Sequence, residues 1–491
     1  MALGFGTSGL RGLVTELTDR ECVLYTRAFY RHARDQGAPP LVSLAGDLRR
    51  STPRILRAVA WAIRQEGGTP EFCGFIPTPA LAGRALERRQ AAVMVTGSHI
   101  PDDRNGIKFY LPSGEILKAD EAAIAARYAE FSAAAASDDA LAGTFDARGM
   151  FRLENPPDQG APDPHAVAAY EQRYLAFFPP GCLAGKRIVL YEHSSVARDL
   201  LGRLLEKLGA RVARVGRSDQ FIPVDTEAVT NTAQLAEWVR AEGADALVSA
   251  DGDGDRPLLV DERGTGVRGD ALGILVAAHL HADTVVAPVN CSTALELCGW
   301  FRRVVRTRIG SPYVVAALQE AVQAGARRVV GFEANGGFLL ASEIAGDTPG
   351  TRLTPLPTRD AALPLLTVLH AASKHVLRLS QMVRDLPPRY THSGLLSPFP
   401  PERGRALVAG IEAGGVTAAQ RLLGDAFGEV RSLDFTDGAR ITLAEGDIVH
   451  LRPSGNAPEF RVYTEASSPA AAAANNERAR ELIRRLTGTG G

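Results

Sequence analysis

Lysine is nearly absent from this chain: among 55 lysines and arginines, only Lys108, Lys118, Lys186, Lys207 and Lys374 are lysines. A lysine that falls inside a motif therefore carries weight. An excess of charge of one sign is lacking too. The 55 basic residues face 56 acidic ones, for a net charge of −1, and no basic run stands out, which argues against nucleic acid as a partner. No apolar stretch approaches the ~20 residues needed to cross a bilayer. The start, Met1-Ala2-Leu3-Gly4-Phe5-Gly6, lacks the charged and apolar regions of a secretory signal, so no membrane partner is expected. Cysteine is sparse. Cys22, Cys73, Cys182, Cys291 and Cys298 form no CxxC and no metal-ligand spacing. An odd count without a signal fits reduced thiols and a cytoplasmic location.

What is present is a globular composition, 45% hydrophobic and 23% charged over 491 residues, too long for one core and consistent with three or four domains. A strand, loop, helix, strand rhythm marks α/β organisation over most of the length. The division expected is 1–148, 149–269, 270–384 and 385–491. In the first unit a helix spans about Asp19 to Gln36, and strands Leu41–Ala45 and Ala91–Thr96 flank a helix through Arg54 to Gln65. Ala-rich sequence from Phe131 to Ala142 reads as a helix and its exit. Asn155-Pro156-Pro157 to Pro164 reads as a surface linker. Later elements are a strand Arg187–Glu192, a helix from about Ser195 to Leu208, a strand Thr284–Val289, a helix ending at Gly325 and a strand Arg328–Phe332. Thr358-Arg359-Asp360 looks like a helix start. After about residue 385 the rhythm changes. A hairpin through Thr436-Asp437-Gly438, a strand Ile448–Leu451 and a closing helix form an α+β unit, and Gly488 to Gly491 a frayed tail.

Four loops carry chemistry. Asp251-Gly252-Asp253-Gly254-Asp255-Arg256 follows the apolar run Ala246–Ala250, and three alternating carboxylates between glycines can converge on a divalent cation. A calcium loop is one alternative: Asp251, Asp253, Asp255 and Glu262 fall at its first, third, fifth and twelfth positions. Arg256 stands where that loop needs its glycine, and the preceding run is strand-like. Ser98 offers a hydroxyl between Gly97 and His99 directly after an apolar strand, where α/β sheets bind ligands. Taken alone it is an ordinary turn serine, and His99 a hydrogen-bonded structural residue. Lys108 follows in Asn105-Gly106-Ile107-Lys108. Glu333 and Asn335 suit vicinal hydroxyls, or form a polar loop leaving a strand. Arg452-Pro453-Ser454-Gly455-Asn456 gathers a guanidinium, a hydroxyl, a glycine amide and a carboxamide that can wrap a phosphate, or make a plain turn.

In chain order these loops resemble the α-D-phosphohexomutase family of phosphomannomutase and phosphoglucomutase. Gly6-Thr7-Ser8-Gly9-Leu10-Arg11-Gly12 looks like its opening loop and Thr96 to His99 with Asn105 to Lys108 its phosphoserine loop. Asp251 to Arg256 looks like its metal loop, Glu333 to Gly337 its sugar loop and Arg452 to Asn456 its phosphate loop. The match in order and spacing runs over essentially the whole chain. The resemblance implies four domains around a central cleft, three related α/β domains with mixed sheets and a smaller α+β domain. It implies that Ser98 carries a phosphoryl group and completes a Mg²⁺ site with Asp251, Asp253 and Asp255, one ion per active site. Arg11, Arg256, Lys108 and Arg452 would balance the negative charge. Lys108 or His99 would move the proton at the sugar hydroxyl. Glu333, Asn335 and Gly310 would bind the sugar, and Arg452, Ser454, Gly455 and Asn456 the distal phosphate. The reaction implied interconverts hexose 6-phosphate and hexose 1-phosphate through a hexose 1,6-bisphosphate, which also serves as activator.

The sugar loop departs from the family. Gly337 stands where several mannose/glucose members have histidine, and Asn335 where serine is common. The reading leans to mannose phosphate, with glucose phosphate or dual specificity as the alternative. A catalytically silent sugar-phosphate binding protein is the non-enzyme alternative; Ser98, three aspartates and Lys108 present together weigh against it. Oligomeric state is not legible.

Overall fold

Three of the four main sheets repeat one four-stranded pattern, and the repeat sets where the loops lie. In each, a strand pairs in parallel with the first parallel strand of the unit, and the chain then turns back as its antiparallel neighbour. The computed structural model describes residues 3–6, 9–135, 141, 143–152, 158–454 and 458–487. In the first unit Ala91–Val95 lies parallel to Leu41–Gly46, which is parallel to Thr69–Phe72, and returns antiparallel as Arg104–Leu111. In the second, Ala246–Ala250 lies parallel to Arg187–Tyr191, itself parallel to Arg211–Val215, and returns as Pro257–Asp261. In the third, Val329–Phe332 lies parallel to Thr284–Pro288, itself parallel to Arg303–Thr307, and returns as Phe338–Leu340. The Ser98, Asp251 and Glu333 loops are these three reversals. The sheets are therefore mixed, as expected.

The central strands that lead into the reversals are largely apolar, as in Ala-Ala-Val-Met-Val and Ala-Leu-Val-Ser-Ala, and every residue of both is buried, because helices cover each side. The first helix, Asp19–Asp35, starts where Thr18 Oγ1 accepts the Glu21 amide at 3.3 Å and carries Asp19 and Glu21 in its first turn. One apolar core runs through the first three units, joining Leu81, Tyr174, Val248 and Phe332. The last unit is an antiparallel sheet in the order Tyr390–Leu396, Phe460–Ala466, Ile448–Pro453, Ala439–Leu443, Val430–Asp434, with helices Pro401–Leu423 and Pro469–Thr487 and its own core.

Two expectations need correction. Thr358 and Arg359 do not begin a helix; they lie in the strand Leu356–Asp360. Asp360 Oδ1 accepts the Ala362 amide at 2.8 Å and the Tyr170 hydroxyl at 2.6 Å, so only its carboxylate serves the helix Ala362–Lys374. The helix expected from Ser195 begins at Arg198. Ser195 Oγ donates to the Asp251 carbonyl at 2.7 Å and Val196 N to that of Gly252 at 3.1 Å, so these residues brace the aspartate loop. The helix ahead of the Ala-rich exit is Lys118–Ala134; 136–140 and 142 lie outside the described residues. So do Asn155-Pro156-Pro157 of the linker and Gly488 to Gly491. From 158 the linker runs back along the first unit, with Asp163 N donating to the Phe72 carbonyl at 2.7 Å. Among the described residues no helix is long and apolar enough to cross a membrane, and all five cysteines are free thiols.

Candidate active site

Ser98 sits at the end of Ala91–Val95 with φ 57°, in the left-handed region. That is unusual for a residue with a side chain and needs external support. The support is a buried pair, Asp47 and Arg49. Asp47 Oδ2 accepts Thr96 Oγ1 at 2.7 Å and Gly97 N at 3.2 Å. Arg49, 1% exposed, donates to the carbonyls of Ser98 (3.0 Å), Ile100 (2.5 Å), Pro101 (2.6 Å) and Arg104 (3.0 Å), and to Asp47 (3.1 Å). A Cβ at Gly97 would lie 2.6 Å from the guanidinium carbon, so only glycine admits this clamp.

The loop so held places Ser98 Oγ 2.5 Å from Asp251 Oδ2. Asp251 Oδ1 accepts the amides of Asp255 and Arg256, both at 3.1 Å, which curls the loop inward. Asp253 Oδ2 accepts Thr78 Oγ1 and Lys108 Nζ at 2.6 Å each; Asp255 Oδ2 accepts Lys108 Nζ at 2.6 Å and Arg359 Nε at 3.0 Å. Ligand atoms of the three aspartates fall within 4.8 Å of one another. Asp253 Oδ1 and Asp255 Oδ1 are buried without a hydrogen-bond partner among the described residues. Orphaned anionic oxygens at such a depth are costly unless a cation meets them. The residues fit a hard divalent ion. A calcium loop of the helix–loop–helix kind is excluded, since strands Ala246–Ala250 and Pro257–Asp261 flank the turn and Glu262 accepts from Ser380 instead.

Electrostatics sort the surrounding groups. Burial opposes ionisation of Asp255, yet Arg359, Lys108 and Arg256 together hold its carboxyl well below the usual range. Burial also opposes the charge on Lys108, but Asp253 and Asp255 raise its pKa. His99 is pushed well below 6.5 by burial, Arg256 and Arg11. Its Nδ1, 3.4 Å from Ser98 Oγ, accepts Arg256 Nη1 at 2.7 Å, so the ring is neutral with its proton on Nε2. Arg11 lies in the strand Leu10–Leu13; burial, Arg256 and Arg359 lower its pKa to about 10, which places it among the same charges.

Arg359 was not singled out from sequence and proves central. Its Nε and Nη2 reach Asp255 Oδ2 at 3.0 Å and its Nη1 reaches Glu333 Oε2 at 3.1 Å, tying the aspartate loop to the sugar loop. A Cβ at Gly337 would lie 2.8 Å from the Arg359 stem. The arginine thus takes the room that a side chain at 337 would need. Asn335 Oδ1 closes its own loop on Gly337 N at 2.9 Å, and the Asn335 carbonyl accepts Thr226 Oγ1 at 2.8 Å.

The remaining candidates gather around the hairpin of the last unit. Arg452 Nε donates to Asp437 Oδ2 at 2.8 Å, and the same oxygen accepts Ile309 N at 3.0 Å. Gly310, φ 132°, follows directly and precedes the helix Ser311–Gln323. Ser454 N donates to the Glu459 carbonyl at 3.0 Å; Gly455 and Asn456 lie outside the described residues, as do Thr7 and Ser8. Glu227 of the second unit, its pKa raised by burial and Asp225 against the pull of Arg268, Arg256 and Arg461, shows charges of the second, third and fourth units facing one another. The structure therefore brings Ser98, His99, Lys108, Arg11, Arg256, the three aspartates and Glu333 into one cluster. Arg452, Ser454 and Gly310 form a second group at the third–fourth unit boundary.

Sequence reasoning missed Asp47, Arg49, Thr78 and Arg359. Asp47-Leu48-Arg49 did carry a signal, polar residues directly after a buried strand. Arg359 carried none beyond a charge at the end of one.

Models of the phosphoglucomutase/phosphomannomutase family match the chain as α/β/α domain I at residues 2–134, domain II at 182–265, domain III at 268–390 and the C-terminal domain at 406–482. A phosphomannomutase of Sinorhizobium fredii is 45% identical over 95% of this chain and 96% of its own. One of Salmonella muenchen is 41% identical over 95% and 92%. The solved structure of a phosphoglucomutase/phosphomannomutase family protein from Burkholderia thailandensis has the same fold, with TM-score 0.74 at 20% identity, covering 98% of this chain and 97% of that one. On this combined evidence the chain belongs to the phosphoglucomutase/phosphomannomutase family, the α-D-phosphohexomutases.

Proposed function

We propose that the protein is a phosphomannomutase, an isomerase that interconverts mannose 6-phosphate and mannose 1-phosphate through a phosphoserine at Ser98 and a bound mannose 1,6-bisphosphate. The observation that carries this reading is Ser98 Oγ at 2.5 Å from Asp251 Oδ2, beside two buried carboxylate oxygens that have no hydrogen-bond partner among the described residues. The names of the two similar curated relatives support mannose over glucose.

In the proposed cycle the phosphorus–Oγ bond breaks as a bond to the free sugar hydroxyl forms. The hydroxyl proton leaves to a nearby base, and the second half-reaction reverses these transfers with the other phosphate. Mg²⁺, held by Asp251, Asp253, Asp255 and the Ser98 phosphate, would supply Lewis-acid stabilisation. Phosphoryl transfer is mostly alignment and charge compensation. Arg11, Arg256 and Arg359 supply the compensation, and the Arg49 clamp the alignment. We assign His99 to positioning, since its Nδ1 is taken by Arg256, and Lys108 to proton transfer at the sugar hydroxyl, in the neutral form open to it once a cation engages Asp253 and Asp255 and relieves the charge that now raises its pKa. Glu333 and Asn335 would hold sugar hydroxyls, and Arg452, steadied by Asp437, the distal phosphate with Ser454, Gly455 and Asn456. Free thiols at all five cysteines fit a reducing cytoplasm.

The test is a coupled assay with Mg²⁺ and a trace of hexose 1,6-bisphosphate as activator. The expected result is a higher kcat/KM for mannose 1-phosphate than for glucose 1-phosphate or N-acetylglucosamine 1-phosphate. A preference for either of the latter overturns the substrate assignment, and no turnover on any of them overturns the mutase.

A further inference from the structure

Away from the cleft, three elements of the third unit bring imidazoles and a carboxylate together. His279 ends the helix Gly269–His279, His370 lies in Ala362–Lys374, and Asp347 lies in the turn between strands Ile344–Ala345 and Arg352–Leu353. One potential ligand atom from each falls within 4.8 Å of the others. His370 Nε2 is 2.8 Å from Asp347 Oδ2, and the His279 and His370 rings stand 5.4 Å apart, nearly perpendicular. His375, at the end of the same helix, has its ring 6.3 Å from that of His279. His370 is 7% exposed, and its Nδ1 is buried with no hydrogen-bond partner among the described residues. None of these groups touches the phosphoryl-transfer site.

Two imidazoles and one carboxylate are the donor set of zinc and its late first-row neighbours, whereas magnesium prefers oxygens alone. We propose that His279, Asp347 and His370 form a second metal site, selective for a divalent late transition metal, with water or His375 completing the coordination. Asp347 Oδ2 is now shared by His370 and the Lys374 ammonium, the latter at 2.8 Å. Lys374 is 42% exposed on its side chain and can swing into solvent when an ion takes its place. The bound ion would pin the 346–351 turn to two core helices, where His370 also packs edge-on against Phe178 at 5.8 Å. Binding to the folded state alone stabilises it by mass action.

The test uses the full chain, stripped with chelator and equilibrated with Zn²⁺ in excess Mg²⁺. Bound zinc is counted by elemental analysis and melting temperature is measured in parallel. Wild type and Asp253→Asn should each hold a zinc and melt higher with it, whereas His279→Ala and Asp347→Asn should lose both effects. Asp347 sits in a surface turn, so Asp347→Asn keeps the test decisive even if His279→Ala folds poorly. Cobalt in place of zinc should give the intense visible bands of a tetrahedral site in wild type only where zinc binds. Zinc retained in both histidine-site variants, lost in Asp253→Asn, or absent from wild type overturns the proposal.

Discussion

Replacing Arg49 tests whether alignment of the Ser98 loop is built from the fold rather than by substrate. Arg49→Met removes the guanidinium donors that now serve the carbonyls of Ser98, Ile100, Pro101 and Arg104, leaving Pro101 the Arg104 amide at 3.1 Å, and leaves Asp47 without its cation. Asp47 keeps Thr52 Oγ1 and Thr96 Oγ1, each at 2.7 Å, so the strand end persists while the far side of the loop is freed. Breaking a buried pair of this kind costs about 3–5 kcal/mol. For a unit of roughly 150 residues that lowers the melting temperature by about 10 °C. A loop displaced by about 1 Å at Ser98, the proposed phosphoryl carrier, loses on the order of 100-fold in turnover. Arg49→Lys keeps the charge but not the planar fork that reaches several carbonyls at once, and should fall between. The assays are melting of each variant and kcat at a temperature where all are folded. Wild-type kcat in Arg49→Met would refute the alignment argument, even with the expected loss of stability.

Gly337→Ala places a methyl 2.8 Å from the Arg359 stem, so Arg359 must leave Asp255 or Glu333; kcat should fall about tenfold or more, and unchanged kinetics would remove Arg359 from the account. If Arg452 holds the distal phosphate as proposed, and that binding drives closure of the cleft, Arg452→Ala should lower kcat as well as raise KM; a raised KM with intact kcat contradicts this. His450 donates through Nε2 to the Asp437 carbonyl at 2.6 Å while its buried Nδ1 has no hydrogen-bond partner among the described residues, and burial lowers its pKa from 6.5 to about 4. Between these values the unfolded chain binds the extra proton. Stability is therefore full above about pH 6.5 and declines by roughly 3 kcal/mol as pH falls toward 4. His450→Gln should flatten that slope in pH-dependent melting, and an identical slope would contradict the assignment.

The fold was legible where local chemistry and tertiary packing agree. Ala246–Ala250 is apolar on both faces because it is buried on both, and the hairpin at Thr436-Asp437-Gly438 follows turn chemistry, with Gly438 at φ 86°. It was illegible where a residue's role depends on a distant partner. Ser195 and Val196 have helix-like sequence but spend hydrogen bonds on the aspartate loop. Arg359 reads as a charge near a helix start, and becomes a bridge only because Asp255, 104 residues earlier, and Glu333 converge on it. The motif loops gave up Ser98 and the three aspartates because several unusual residues stand in one short stretch. Arg49 serves mostly backbone carbonyls, and Asp47 accepts from backbone amides and threonine hydroxyls, partners that their own stretch of sequence does not reveal. The threefold repeat was expected only through the family resemblance and not from the residues themselves, since it resides in strand order and the three reversal loops share no motif beyond glycine.

The most direct test of the central claim is to follow a labelled phosphoryl group from mannose 1,6-bisphosphate onto the protein and locate it by peptide mass. The account predicts label on the peptide that contains Ser98, none in Ser98→Ala, and loss of the label to added mannose 6-phosphate at a rate compatible with turnover. Label retained in Ser98→Ala, or carried by another residue of the active wild-type enzyme, would contradict it.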